Sequence, residues 1–166
     1  MSSPSVTQEF WEGVAFSGRV TTDVDVLLNR DGLERFKKVA LRRGYVEKFA
    51  GSKGVRDTVN SVGIDVLLAG EFPGDGKPKP VAFPDPAATK LERRDMQLLP
   101  LERLIELKLA SGLTAPHRLK DLADVLELIK AAKLPLEIES QLDASVRTKY
   151  VELWNAAQFK DPISED

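Results

Sequence analysis

The sequence predicts an α+β fold: a mixed β-sheet flanked by helices, with further helices at the C-terminus. Three observations predict it. Short β-prone runs occur between residues 22 and 68, a Pro/Gly-rich connection occupies 70–98, and helical periodicity takes over from 99 to 157. A chain of 166 residues fits a single domain, 1–166, and one of this size can bury about two-thirds of its unfolded surface.

Composition excludes several classes. The 42% hydrophobic and 30% charged content is ordinary for a soluble globular chain. The net charge of -2 gives no global basic field for nucleic acid. Cysteine is absent, which removes disulfides and thiolate metal sites and fits a reducing, cytoplasmic setting. No run approaches the ~20 apolar residues of a membrane span, and the polar N-terminus carries no signal-peptide core, so no membrane partner is expected.

Met1 to Gln8 is Ser/Thr-rich and expected to fray. Phe10, Trp11, Val14, Ala15 and Phe16 are apolar enough to dock as a short strand or to mark a dimer contact. Thr22 to Leu28 reads as the first strand, Asn29 to Gly32 as a turn, and Gly32 to Arg43 as a helix. Asp31 and Glu34 have capping-box spacing; Leu33, Phe36, Ala40 and Leu41 make the stripe, and Gly44 is a stop. Tyr45–Phe49, Val55–Asn60 and Gly63–Leu68 read as strands, with a glycine-bearing loop at 50–54 and a tight hairpin at Asn60-Ser61. The Pro/Gly-rich stretch admits no helix; Lys77 and Lys79 in it either face a ligand or are simply solvated. Leu91 to Leu98 reads as a short strand or irregular segment.

Leu101 to Ser111 reads as a helix in which Lys108 shares the register of Leu101, Leu104 and Ile105. Its stem either snorkels to the rim or its charge reaches an anionic site. A second helix, Pro116 to Ile129, has a stripe of Leu119, Leu122, Ala123, Leu126 and Ile129. His117, Asp121 and Asp124 lie along another face, with Arg118 at its edge. The lone histidine suits a surface or capping role. Leu134-Pro135 breaks the helix, and Glu137 to Ala157 reads as one last helix, followed by an acidic tail.

The candidate chemistry sits in the first strand, Arg19-Val20-Thr21-Thr22-Asp23-Val24-Asp25-Val26-Leu27-Leu28. Residues i and i+2 of a strand share a face, so Asp23 and Asp25 project together. Two like charges side by side need a counter-charge, and a divalent cation is the simplest one. Asp65, a lone acid in Gly63-Ile64-Asp65-Val66-Leu67-Leu68, completes a three-acid cluster if the two strands are neighbours. Such a cluster suits Mg2+ (or Mn2+) and phosphoryl or nucleotidyl transfer.

Arg-x-Thr-x-Asp-Val-Asp with the later Ile-Asp-Val resembles the core of the nucleotidyltransferase superfamily, in particular the minimal enzymes and the abortive-infection type toxins. The resemblance runs from about Gly18 to Pro135. It implies a nucleotidyltransferase-like fold and a Mg-dependent enzyme that moves a nucleoside monophosphate from a nucleoside triphosphate to a hydroxyl of protein, RNA or a small molecule. Asp23, Asp25 and Asp65 would be catalytic and metal-binding. Arg19, Thr21 and Lys108 would be nucleotide-binding. Arg118, Asp121 and Asp124 would support the site, with Asp121 bracing Lys108 or Arg19. One departure is plain. The family opens with a helix and a strand ending in Gly-Gly or Gly-Ser, whereas 1–17 is atypical: the chain has Gly13 and Gly18 but no such pair before Asp23. The alternative is therefore a catalytically degenerate fold acting as a binding module, as a homodimer or in a toxin–antitoxin pair; a third reading is that the natural chain starts upstream.

Overall fold

A computed structural model of the chain describes residues 23–93 and 96–159. It is an α+β fold whose described residues form two compact units. One holds the sheet, reaching to Glu71 and resuming over Ala82–Leu99; the other holds Phe72–Val81 and the helices from Pro100 onward. Among the described residues, no helix is long and apolar enough to cross a membrane.

The sheet unit begins with β1 (Asp23–Leu28), followed by helix α1 (Arg30–Ala40) and a 3-10 turn, Leu41–Arg43. The strands β2 (Tyr45–Glu47), β3 (Val55–Asp57) and β4 (Gly63–Leu68) complete a four-stranded sheet in the order β1-β4-β3-β2. β1 and β4 are parallel and in full register, from Asp23 opposite Gly63 to Leu28 opposite Leu68. The other two pairings are antiparallel. A separate hairpin, β5 (Leu91–Arg93) with β6 (Met96–Leu98), follows the long connection.

Strand alternation divides the sheet into two faces. Val24, Val26 and Leu28 share theirs with Ile64, Val66 and Leu68, and Val55 joins them as the partner of Ile64. Val55, Val66 and Leu68 are buried there, as is Ala40 of α1. Each of the Val and Leu side chains contributes about 1.5–3 kcal/mol when fully buried. Lys37 of α1 meets Glu47 of β2 at 2.6 Å, tying helix to sheet.

Three details of this unit depart from the sequence expectation. The cap of α1 is Asn29, whose Oδ1 accepts the Gly32 amide at 2.7 Å; Asp31 instead lies in the first turn. An extended Asn immediately before the helix meets the orphan amides first, so the helix starts earlier than Gly32. Leu41 is exposed, because the helix tightens to a 3-10 turn there and rotates off the stripe before Gly44 stops it with φ 86°. β2 and β3 are each 3 residues long, shorter than their apolar runs. Turns end them: Asp57 Oδ1 accepts the Val59 amide, and its Oδ2 accepts from the Asn60 side chain.

The helical unit packs α2 (Leu101–Gly112), α3 (Leu119–Ala132) and α4 (Ala144–Ala157), with 3-10 turns at Pro116–Arg118 and Leu136–Gln141. Ile105, Leu109, Val125, Ile129, Leu142, Val146 and Tyr150 are its fully buried core. The stripe of α3 is rotated from the expected one: Val125 is buried, while Leu119 is 61% exposed and Ala123 is exposed. The 3-10 turn at 116–118 resets the helical phase, and Gly112 admits Leu122 at the α2–α3 crossing. The last helix is not continuous from Glu137. Extended Leu142 plugs the core, and Asp143 caps α4 by accepting the Ser145 amide at 2.9 Å. Buried Glu106 fixes that cap, accepting the Asp143 amide at 2.6 Å and pairing with Arg103 at 2.5 Å.

Candidate functional site

Parallel register brings the strand acids together. Asp25 is the Cα partner of Asp65, and Asp23, two residues earlier, shares their face of the sheet. That face lies opposite the apolar one, and the Asp23 and Asp65 side chains are 57% and 49% exposed. Arg19 and Thr21 lie outside the described residues.

Lys48, just past β2, is the group the sequence reading missed. Its Nζ lies 2.9 Å from Asp65 Oδ1 and 3.4 Å from Asp23 Oδ1, so one ammonium bridges the two carboxylates. The Asp65 carboxylate, and secondarily Asp23, holds the Lys48 ammonium above its usual pKa against the opposing effect of desolvation.

The path of the lysine explains two glycines. The Lys48 amide donates to the Gly54 carbonyl, so the two face each other across the β2–β3 hairpin. A Cβ at Gly54 would stand 2.7 Å from the Ile64 carbonyl oxygen, 3.1 Å from Asp65 Oδ1 and 3.5 Å from Lys48 Cδ. A Cβ at Gly63 would stand 2.0 Å from Asp23 Oδ1 and 2.8 Å from Lys48 Nζ. Side-chain-free positions on β4 and beside it thus form a floor on which the lysine stem crosses toward the acids. Buried Ser52 holds the turn, its Oγ accepting the Gly54 amide at 3.1 Å. Lys48 alternates with Glu47, which meets Lys37 of α1, and so falls on the acid face; that parity becomes informative only once the strand order is known.

The cluster can hold positive charge. Among the described residues no three His, Cys, Asp or Glu groups are gathered as a bound metal requires. The donor chemistry nevertheless fits a hard cation, since all three acids offer carboxylate oxygens on one face. The Lys48 ammonium, seated between two of them, is a stand-in for such a cation.

The remaining predicted residues belong to the helical unit and meet one another there. Lys108 Nζ lies 2.8 Å from Asp124 and 3.7 Å from Asp121. Asp121 accepts from Ser111 Oγ at 2.6 Å and lies 3.8 Å from Arg118, which also donates to the Gly74 carbonyl at 3.3 Å. This network joins α2 to α3 and to the 72–81 segment. Lys79 is likewise engaged by its own loop, donating to the Pro73 carbonyl and to Asp75 at 2.7 Å each. His117 lies in the 3-10 turn and is exposed.

No family model, no curated protein and no solved structure matches the chain.

Proposed function

We propose that the acid face binds a nucleoside triphosphate and transfers its nucleoside monophosphate to a hydroxyl of a protein, an RNA end or a small molecule, in the manner of a nucleotidyltransferase. The observation that carries the proposal is the alignment of Asp25 with Asp65, with Asp23 on the same face and a cation already between two of the three. Asp23, Asp25 and Asp65 would hold Mg2+ (or Mn2+), which supplies charge neutralisation for the phosphates and the developing oxyanion. Asp65, half exposed, would accept the proton of the attacking hydroxyl. Arg19 and Thr21, shortly before Asp23 in the sequence, would bind the nucleotide. Lys108 is committed to acids of its own unit, and its part in the proposal is to order α2 against α3.

A second reading rests on the same lysine. Because Lys48 already pairs with Asp23 and Asp65 within the chain, the face is also suited to a module that binds a partner without chemistry. Calorimetric titration of ATP, GTP, CTP and UTP with Mg2+ into the wild-type chain and Asp23→Asn separates the two. Mg-dependent binding of one nucleotide, lost in the variant, is expected. A well-folded chain that binds none of the four would reject the transferase in favour of the module.

A further inference from the structure

The bridge from Lys48 to Asp23 and Asp65 has the features of a contact made to be exchanged. Both carboxylates are about half exposed, so solvent screens each pair and neither ion pair is worth more than a fraction of what a buried one would be. The cation is a lysine, a point charge on a flexible four-carbon stem, and not the planar fork that would lock two carboxylates bidentately. The stem lies over Gly54 and Gly63, two positions that carry no side chain of their own. Asp23 and Asp65 bring two negative charges to the single ammonium that bridges them, so the pair has more negative charge than Lys48 balances.

We propose that Lys48 is an exchangeable counter-ion: it holds Asp23 and Asp65 while the site is free of ligand, and turns onto the triphosphate when a metal–nucleotide enters. The inference rests on the nucleotide-site reading for its second half only. A divalent cation arriving alone must displace the ammonium and leave it without an anion. The same cation arriving with a triphosphate gives the ammonium a new anionic partner. Metal and nucleotide therefore bind cooperatively, and Lys48 is the coupling element. It is a positioning residue for the metal and a direct contact for the phosphates.

The test measures Mn2+ alone, by calorimetry, against the wild-type chain, Lys48→Met, Lys48→Gln and Lys48→Arg, with circular dichroism to establish that each folds. The two neutral variants remove the competitor, which as an exposed double ion pair is worth about 1 kcal/mol, and are expected to bind Mn2+ about fivefold tighter than wild type. Lys48→Arg keeps the charge and is expected to bind Mn2+ much as wild type does. With Mg2+ and the nucleotide that wild type prefers, the neutral variants are expected to bind several-fold more weakly, the opposite sign. Mn2+ affinity unchanged or lowered in both neutral variants overturns the proposal, even where nucleotide binds well. Tighter Mn2+ binding in a chain that takes no nucleotide upholds the counter-ion and rejects the nucleotide site, so the two failures are distinguishable.

Discussion

The carboxylate of Asp23 lies over Gly63: a Cβ built at position 63 would stand 2.0 Å from Asp23 Oδ1. The two residues are register partners on parallel strands, and the absence of a side chain on one gives the other its place. Gly63→Ala must therefore displace Asp23, and with it the Lys48 bridge, or shift β1 against β4. The expected cost is about 1–3 kcal/mol, the range for overpacking a fitted site. Urea denaturation checks it. In an Asp23→Ala background the same change should cost much less, and a coupling of at least about 1 kcal/mol in the double-mutant cycle is expected. Additive effects would mean that the two residues do not meet.

The first strand and β4 illustrate what the sequence could reveal. β4 spans Gly63–Leu68, the apolar run that reads as a strand, and the acids of both strands come onto one face because the register that pairs Val24, Val26 and Leu28 with Ile64, Val66 and Leu68 sets Asp25 beside Asp65. Lys48 was illegible for the converse reason. Asp65 lies two strands away and Asp23 three, and nothing local in Glu47-Lys48-Phe49 records which strand lies beside which. The glycines had the same ambiguity: Gly54 reads as a loop residue and Gly63 as a strand start, and only the register reveals them as the floor beneath a lysine. In the helical unit the break at Leu142-Asp143 escaped because the apolar spacing of Ile138, Leu142 and Val146 runs unbroken through it. The break is set by a cap that depends on Glu106, a residue of a different helix.

A second close approach holds α2 against α3. At Gly112 a Cβ would meet Leu122 Cγ and Cδ2 at 2.5 Å and the Leu122 backbone nitrogen at 3.2 Å. Alanine is ordinarily the better helix former by about 1 kcal/mol, so propensity alone argues that Gly112→Ala should stabilise. The crossing argues otherwise. The leucine can turn away, but its backbone cannot move without carrying Asp121 from Ser111. Net destabilisation of about 1–2 kcal/mol is expected, smaller than full overpacking because the propensity gain offsets part of it. Leu122→Ala in the same chain should recover part of the loss, read as the thermal midpoint of the double variant against each single one. A Gly112→Ala chain more stable than wild type would show that the helices have room to separate.

Tyr150 gives the clearest dependence on pH. It is fully buried on α4, and its hydroxyl donates to the Pro135 carbonyl at 2.9 Å, beside the Trp154 indole that donates to the Leu134 carbonyl at 2.9 Å. Burial, with a smaller push from Glu137, raises its pKa from 10.0 to about 12. The folded chain thus holds the proton more tightly than the unfolded one. The stability this contributes is complete below pH 10, where both states are protonated, and is lost as the pH climbs from 10 to 12. Tyr150→Phe removes the hydrogen bond and should cost about 1 kcal/mol at pH 7. It also removes the titration. Wild type should lose about 1.4 kcal/mol per pH unit through this group above pH 10, so the two stability curves are expected to cross near pH ~11. Lys48, whose pKa is also raised, loses its contribution at high pH in both chains alike, so the crossing isolates the tyrosine. Denaturant unfolding of the two chains at pH 7, 10 and 11.5 measures it. Curves that stay parallel through that range would mean that the phenol titrates as freely folded as unfolded, and that it is not sealed in the core of this unit.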